Sequence, residues 1–183
     1  SAGEIPPEAQ AGLRPTLRSQ GYFLACLCAP ATAIDAAAAA AQLFRRARIA
    51  SVERLSPAVA RLRLVPAAAL QDRAGQFLNL RRADGMTRSY SLASVPRRDP
   101  LLEIHVERLE NGEMSGWIHD RLQTGDGIEI DGPNGACFYL PGKPEQPLLL
   151  IGTGTGLAPL FGIARDALLS GHKGPIRLYH GAR

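Results

Sequence analysis

The sequence predicts an all-β antiparallel six-stranded barrel with one capping helix, followed by a βαβ unit of the α/β class. Two observations lead to this fold class. Between Arg45 and about Asp131, short segments that alternate apolar and polar residues are separated by turn residues, which is typical of a barrel of short antiparallel strands. From Gln146 onward, a continuous apolar run precedes a glycine-rich turn, a helix and a second strand, which is the order of a βαβ unit.

The strands of the predicted barrel are short and regularly spaced. The basic run at 45–48 is interpreted as a solvated strand start, and further strands are expected at 59–65, 77–80, 89–92, 102–106 and 127–131. The turns at 84–85 and 125–126 each contain a glycine and an aspartate, which favour tight turns. One helix is expected from Ser115 to about Leu122, with Ser115 as its N-cap because a serine hydroxyl can accept a backbone N–H.

The C-terminal segment begins with the apolar run from Pro147 to Ile151, which predicts a strand covered on both faces. A helix is expected from about Ala158 to Leu169, with Gly171 as its C-cap, and a second strand at 176–179. Two parallel strands and one helix would leave sheet edges and an apolar face uncovered.

Composition and charge limit the function classes. The chain has 183 residues, of which 45% are apolar and 21% charged, so its composition is that of an ordinary globular protein. The net charge of +4 weakly favours phosphate-bearing ligands. Nucleic-acid binding would call for a concentrated basic stripe, which the sequence does not contain. No segment approaches the ~20 apolar residues of a membrane span. Three cysteines form no disulfide framework, so a reducing, cytoplasmic location is expected.

The run Arg88-Ser89-Tyr90-Ser91 is the first candidate site. On a strand, Arg88 and Tyr90 would point to one face and Ser89 and Ser91 to the other. Arginine can bind a phosphate through two parallel hydrogen bonds, and tyrosine can stack on a planar ring. The run therefore fits a ligand with a phosphate and an aromatic system, although a plain strand with a surface arginine explains the run equally well by itself.

The run Gly112-Glu113-Met114-Ser115 lies directly before the predicted helix and is the second candidate. Free N–H groups and the positive end of the helix dipole make such a position an anion site, and Gly112 would allow a ligand to approach the backbone. An ordinary capped helix is the simpler interpretation of this run alone.

The third candidate is the segment Gly152-Thr153-Gly154-Thr155-Gly156-Leu157-Ala158-Pro159. It lies between an apolar strand and a helix, which is the context of a dinucleotide phosphate loop, but its spacing departs from Gly-x-Gly-x-x-Gly. Pro159 fits the first turn of the helix, where a missing N–H costs nothing. The alternative is that the glycines only allow tight packing of the turn.

Together and in this order, the three candidates resemble the motifs of the ferredoxin–NAD(P) reductase superfamily. That family has an antiparallel flavin-binding barrel followed by an α/β domain for the nicotinamide nucleotide. Its Arg-x-Tyr-Ser/Thr signature is matched by Arg88, Tyr90 and Ser91, and its Gly-x-x-Ser signature by Gly112 and Ser115. The resemblance covers about residues 45–183. The run at 74–77 resembles the family's Pro-Gly-Gln-Phe strand with alanine in place of proline, and Gly181 and Arg183 resemble its next conserved turn.

The resemblance implies a role for each matching residue. Arg88 would hold the flavin pyrophosphate, Tyr90 would pack against the isoalloxazine, and Ser91 would form a hydrogen bond near the reactive N5, so Tyr90 and Ser91 are the catalytic candidates. Further cofactor contacts are expected from Ser89 on the same strand and from His105 and Val106 on the strand that usually lies along the flavin. The helix start and the nucleotide loop would supply the others: Gly112, Met114 and Ser115, and Gly152, Thr153, Gly154, Thr155, Gly156 and Pro159.

The segment from Gly21 to Cys26 resembles the end of a plant-type [2Fe–2S] ferredoxin domain, in which the last cysteine is the fourth cluster ligand. The chain lacks the compact Cys-x4-Cys-x2-Cys run that supplies the other ligands, so Cys26 would bind a cluster only if the rest of that domain is present. The expected organisation is a ferredoxin remnant at 1–34, an alanine-rich linker at 35–44, an FAD-binding barrel at 45–143 and a truncated start of an NAD(P)-binding domain at 144–183. We therefore expect a fragment of a longer reductase.

The predicted function is that of a flavin-dependent oxidoreductase. It would pass electrons from NAD(P)H through FAD to an iron–sulfur centre or to another redox partner such as an oxygenase component. The flavin performs the chemistry, so the protein needs no catalytic acid or base for hydride transfer. The alternatives are a non-catalytic flavin-binding fragment, an FMN-binding reductase, and a cofactor-free β-barrel binding module. An aromatic content of only 5% gives such a module few side chains on which single-stranded nucleic acid could stack.

Overall fold

The computed structural model describes residues 4–13, 15–30 and 44–181, and the chain divides into two compact units, Ser1–Ala41 and Gln42–Arg183. The smaller unit contains 3-10 turns at Pro7–Gln10 and Ala25–Leu27 and the short helix α1, Pro15–Ser19. Local hydrogen bonds connect these pieces, for example from the Leu24 N–H to the Ala9 carbonyl at 2.7 Å. The predicted alanine-rich linker lies outside the described residues, apart from its last residue.

A six-stranded antiparallel sheet forms most of the larger unit. Its strands lie in the order β4-β3-β6-β1-β2-β5. Each predicted strand is confirmed to within a few residues, and the bounds are β1 (Arg45–Arg54), β2 (Val59–Pro66), β3 (Phe77–Arg81), β4 (Thr87–Ser91), β5 (Leu102–Glu107) and β6 (Gly127–Asn134).

The alternating pattern of these strands places one face of the sheet on a single core. In β2, Ala60, Leu62 and Leu64 are fully buried, whereas Arg61 and Arg63 lie on the other face and stay partly exposed. The buried residues of all strands except β4 form one cluster with side chains of the helix α2, Glu113–Asp120. This burial supplies the apolar driving force for the fold.

The start of α2 corrects one prediction. Ser115 is not the N-cap, because the helix begins two residues earlier and Gly112 occupies the cap position. Ser115 is buried, and its hydroxyl accepts the Leu109 N–H at 3.1 Å and donates to the Gly112 carbonyl at 3.2 Å. The hydroxyl therefore stabilises the loop before the helix instead of capping a later turn.

The two edge strands of the sheet, β4 and β5, approach each other at one point. Leu92, directly after β4, forms an isolated antiparallel bridge with Ile104, and the Ala93 N–H donates to the Glu103 carbonyl at 2.8 Å. Within the described residues, this bridge is the only pairing between the two edges. From Ser91 back along β4, the two edges are not paired with each other within the described residues, and this unpaired stretch is the β4–β5 gap.

The strand–helix–strand order predicted for the C-terminal segment is present. The parallel strands β7 (Leu148–Thr153) and β8 (Ile176–Gly181) are connected through α3 (Leu157–Leu169). The C-cap of α3 is Ser170, so the expected glycine lies one residue beyond the cap: Gly171 has φ +81°, and the N–H groups of Gly171 and His172 donate to carbonyls of the last turn.

The prediction that β7 is covered on both faces is wrong for this chain. Leu148 and Leu150 pack against a small apolar cluster that includes side chains of α3. On the opposite face, Leu149 and Ile151 are 61% and 68% exposed. A continuous apolar run predicts two-sided burial, but within the described residues no element packs on the second face. The expected uncovered apolar face is therefore confirmed.

Alanine substitutions at two glycines inside helices should change the free energy of unfolding in opposite directions. A Cβ on Gly162 in α3 would lie 2.7 Å from the Ala93 carbonyl oxygen, whereas a Cβ on Gly116 in α2 would meet nothing within 4 Å. Overpacking costs about 1–3 kcal/mol, and alanine gains up to about 1 kcal/mol over glycine in a helix. We expect Gly162→Ala to lower the free energy of unfolding in urea and Gly116→Ala to raise it; a gain for both would show that α3 can move away from the sheet.

The partly buried carboxylate of Asp72 makes stability depend on pH. Oδ2 of Asp72, between β2 and β3, is buried with no hydrogen-bond partner among the described residues, and burial raises the pKa of this carboxyl. Folding therefore disfavours the ionised form of this carboxyl relative to the unfolded chain, and stability falls as pH rises from the unfolded pKa through the folded one. We expect Asp72→Asn to unfold at a higher temperature than the wild type at pH 7, with the advantage disappearing below about pH 4. An advantage that does not change with pH would exclude ionisation as the cause.

Candidate functional site

The run at 88–91 lies on β4, at an edge of the sheet. Arg88 is exposed, its guanidinium donates only to the Thr87 carbonyl at 2.8 Å, and it forms no ion pair within the part of the chain that the structure describes. Tyr90 is half-buried against the core, and burial raises the pKa of its phenol while the nearby Arg88 opposes this shift. A free cation therefore stands beside a partly exposed aromatic ring.

The predicted alternation of side chains along β4 is confirmed. Tyr90 is paired with Leu78 of β3 on the core side, and Ser89 is paired with Asn79 on the other side. The Ser89 hydroxyl donates to Asn79 Oδ1 at 2.6 Å, and Asn79 in turn donates to Asp131 at 2.9 Å. Ser89 is thus engaged in a polar network of the sheet.

The strand β5 carries His105 and Val106 along the opposite edge. The register of the bridge between Leu92 and Ile104 directs Ser91 toward His105 and Tyr90 toward Val106, although neither pair is joined by a ladder. The side chain of Val106 is fully buried, so only its backbone could face a ligand. The predicted residues of β4 and β5 therefore converge on the gap between the two edges.

Polar side chains around β5 are linked to the strand and to each other by hydrogen bonds. The His105 ring donates from Nε2 to Glu103 at 3.0 Å, and Glu103 also accepts from Arg63 at 3.1 Å. The hydrogen bond from His105, with smaller contributions from the two neighbouring arginines, lowers the pKa of the Glu103 carboxyl. On the other side, buried His119 of α2 donates to the Val106 carbonyl at 3.0 Å, a contact that the sequence pattern did not reveal.

The N-terminus of α2 offers backbone donors. No side chain caps this helix, and the first N–H groups of a helix have no partner within it, so the backbone at 113–115 can receive an anion. Met114 and Ser115 are buried, so their contribution would come from the backbone. A Cβ on Gly112 would lie 2.4 Å from the Ser115 hydroxyl, so the loop needs glycine there.

The segment at 152–159 forms the connection between β7 and α3. A single 3-10 turn, Gly154–Gly156, leads into the helix, and Pro159 lies in its first turn as predicted. The Gly154 carbonyl accepts a hydrogen bond from His180 Nε2 at 3.0 Å. Gly154 has φ +52°, and a Cβ there would lie 2.9 Å from the Glu107 carboxylate.

The contact between Gly154 and Glu107 brings two predicted motifs together. Glu107 is the last residue of β5 and follows directly after His105 and Val106. The glycine-rich turn therefore lies beside the strand that borders the β4–β5 gap. Neither Glu107 nor His180 was predicted from the sequence; the position of Glu107 next to His105-Val106 was the one available signal.

Cys26 lies in the smaller unit, in a 3-10 turn, as an exposed free thiol. Among the described residues, no group of three or more His, Cys, Asp or Glu side chains could hold a metal ion. Arg183, expected near a conserved turn, lies outside the described residues. No helix in the described ranges has the length and apolar character that crossing a bilayer requires.

Comparison with known proteins identifies the family of this sheet and its edge motifs. Residues 46–139, just over half of the chain, match the model of the oxidoreductase FAD-binding domain. The chain belongs to this FAD-binding family. The matched range of the FAD-binding domain includes β4, β5 and the start of α2.

Two curated relatives of this FAD-binding domain are reductases. The reductase subunit of an aromatic O-demethylase from an Amycolatopsis species is 38% identical over 178 residues, which are 91% of this chain and 53% of the relative. The ferredoxin–NAD(P)+ reductase component of a naphthalene 1,2-dioxygenase system from Pseudomonas putida is 34% identical over 135 residues, which are 74% of this chain and 40% of the relative. The chain thus spans about half the length of the curated relatives it matches.

A solved structure gives the same picture. The ferredoxin reductase in carbazole 1,9a-dioxygenase superposes with a TM-score of 0.70 at 26% identity, over all of this chain and 57% of that one. The six-stranded antiparallel sheet is therefore the fold of the FAD-binding domain in a ferredoxin reductase.

Proposed function

We propose that this FAD-binding domain is the flavin module of a reductase that passes electrons from NAD(P)H to an oxygenase component or an iron–sulfur centre. The observation that carries the proposal is the edge of β4, where Arg88 has no ion-pair partner among the described residues and stands beside half-buried Tyr90. The names of the relatives, which are reductase components or subunits, support the same activity.

The residues of the site fit FAD. Arg88 would hold the pyrophosphate, and the N–H groups at 113–115 would add a second set of donors, because the uncapped start of α2 attracts anions. Tyr90 would pack on the isoalloxazine, and Ser91 and the backbone at 105–106 would border it across the β4–β5 gap. Ser89 would act through Asn79, which holds its hydroxyl. Bound flavin supplies hydride acceptance and release of single electrons.

The donor nucleotide would bind at the turn 152–159. Gly152, Thr153, Gly154, Thr155 and Gly156 present backbone between β7 and α3, and the helix N-terminus favours phosphate. The contact of Gly154 with Glu107 would keep this turn beside β5, so that the two nucleotides are bound close to each other.

We also infer the finer architecture. The bridge between Leu92 and Ile104 supports closure of the sheet into a flavin-binding barrel at 45–143. The strand–helix–strand segment at 144–183 would be the start of an NAD(P)-binding domain, and residues 1–34 a remnant of a ferredoxin-like domain after an alanine-rich linker. Cys26 would bind a [2Fe–2S] cluster only together with three thiolates that this chain does not supply.

The test is anaerobic reduction of the FAD-reconstituted chain, followed by absorbance of the flavin band near its visible maximum. NADH or NADPH should bleach the flavin, and dithionite serves as the control for a reducible flavin. Bleaching by dithionite alone would leave a flavin-binding fragment without reductase activity. A chain that retains neither FAD nor FMN after gel filtration would contradict the proposal altogether and leave a cofactor-free module.

A further inference from the structure

Ion pairs connect the helix α3 to the loop that follows β4. Nη2 of Arg165 on α3 donates to Oδ1 of Asp99 in the loop at 2.8 Å. Nη2 of Arg97 in the loop donates to Oδ1 of Asp166, the next residue of the helix, at 3.2 Å and to the Ser170 hydroxyl at 2.6 Å. The loop supplies the acid of one pair and the base of the other, so we call Asp99–Arg165 and Arg97–Asp166 the reciprocal ion pairs.

The order of these charges fixes the register of α3 on the loop. A helix advances about 1.5 Å and turns by about 100° with each residue, so a shift by one residue in one direction would bring Asp166 beside Asp99. A shift in the other direction would bring Arg165 beside Arg97. Because like charges in contact repel each other, both alternatives are unfavourable and the observed register is selected.

The backbone of the same loop approaches α3 closely. A Cβ on Gly162 of α3 would lie 2.7 Å from the carbonyl oxygen of Ala93, so only glycine allows the helix to lie at this distance. Oδ2 of Asp99 accepts the Val95 N–H at 2.9 Å, while its Oδ1 accepts from Arg165. The carboxylate of Asp99 therefore stabilises the shape of the loop and contacts the helix at the same time.

The loop and α3 are each continuous with one of the proposed nucleotide sites. Ala93 lies two residues after Ser91 at the flavin edge, and its N–H donates to the Glu103 carbonyl of β5 at 2.8 Å. The helix begins at Leu157, directly after the glycine-rich turn of the donor site. From Leu157 to Arg165 the helix rises about 12 Å, so a tilt of α3 at the reciprocal ion pairs would displace the turn at its other end.

We propose that the reciprocal ion pairs position the donor-nucleotide turn relative to the flavin edge of β4. The inference rests on the proposed function, in which NAD(P)H gives a hydride, with both electrons of its C–H bond, to the oxidised flavin and leaves as NAD(P)+. Such a transfer requires reacting atoms within about 3.5 Å of each other, and a displacement of about 1 Å can slow it by about a hundredfold. The four side chains belong to neither predicted site and act through the position of α3, so they are positioning residues.

Reversal of one charge tests this positioning. Arg165→Glu would place a carboxylate beside Asp99, and we expect the bleaching rate of the FAD-reconstituted chain at saturating NADH or NADPH to fall about ten- to a hundredfold. FAD affinity and the nucleotide concentration for half-maximal rate should change by less than about threefold, because neither site loses a contact. Arg165→Lys keeps the ion pair and should retain the wild-type rate to within about threefold.

Exchange of the second pair separates positioning from a loss of folding. The Asp166→Arg substitution would place a second guanidinium beside Arg97 and should slow bleaching. Combined with Arg97→Asp, it re-forms the pair with the charges exchanged, so most of the rate should return. Glu129→Arg breaks an ion pair with Arg81, between β6 and β3, and as a control should change neither the rate nor FAD affinity. A cooperative thermal transition shows that each variant is folded.

Hydrogen exchange of the backbone amides at 152–156 gives a readout that does not depend on activity. These amides should exchange at least about threefold faster in the Arg165→Glu variant than in the wild type or in the exchanged double variant. Equal bleaching rates and equal exchange in all variants would overturn the inference and leave the proposed function. A wild-type chain whose flavin neither nucleotide bleaches would contradict the proposed function instead, and the exchange rates would then decide alone whether the ion pairs position the turn.

Discussion

Replacement of Arg88 by alanine is expected to lower the affinity for FAD by about ten- to a hundredfold. A hydrogen bond to a charged group contributes about 1.5–3 kcal/mol, and Arg88 has no ion-pair partner in the described part of the chain that would compete with a phosphate. Calorimetric titration of the flavin-free chain with FAD measures the effect. The thermal stability of the flavin-free variant should stay close to that of the wild type, because Arg88 is exposed.

Two control variants sharpen this experiment. Arg88→Lys keeps the charge but loses the two parallel hydrogen bonds, so its affinity should lie between those of the wild type and the alanine variant. Arg48→Ala removes another exposed strand arginine, on β1, and should leave FAD binding unchanged. An alanine variant of Arg88 that binds FAD as tightly as the wild type would exclude the phosphate role of this residue.

Alanine at Gly112 is expected to weaken both the fold and FAD binding. The new Cβ would lie 2.4 Å from the Ser115 hydroxyl and 2.8 Å from Leu109 Cβ, so the loop before α2 must move. Overpacking of this kind costs about 1–3 kcal/mol, and the displaced loop would no longer present the N–H groups of the helix start. Urea unfolding and FAD titration of the same variant measure the two effects.

Gly127→Ala is the matched control for this substitution. Gly127 has ordinary φ, begins β6, and a Cβ there would meet nothing within 4 Å, so stability and FAD affinity should be retained. If Gly112→Ala lowers stability but FAD affinity remains, the helix start contributes to the fold and not to the cofactor site. If neither property changes, the loop adapts to the added methyl group.

The strands and turns of this chain could be predicted from the sequence because their signals are local. The alternation of apolar and polar residues in β2 and β5 indicates one buried face, and the glycine-containing turn at 84–85 indicates a reversal of the chain. The start of α2 was misplaced because Ser115 satisfies the sequence rule for a cap. Its hydroxyl is instead used by Leu109 and Gly112, which is a matter of loop geometry.

The candidate site shows the same division. The sequence by itself determined the motif residues, the face of β4 on which Arg88 and Tyr90 lie, and the family to which they point. Only the tertiary structure decided that β4 and β5 are the two edges that meet at Leu92 and Ile104, and that Gly154 contacts Glu107. The physical reason is that periodicity and turn chemistry act over a few residues, whereas these contacts join segments far apart in the chain and depend on how the whole sheet packs.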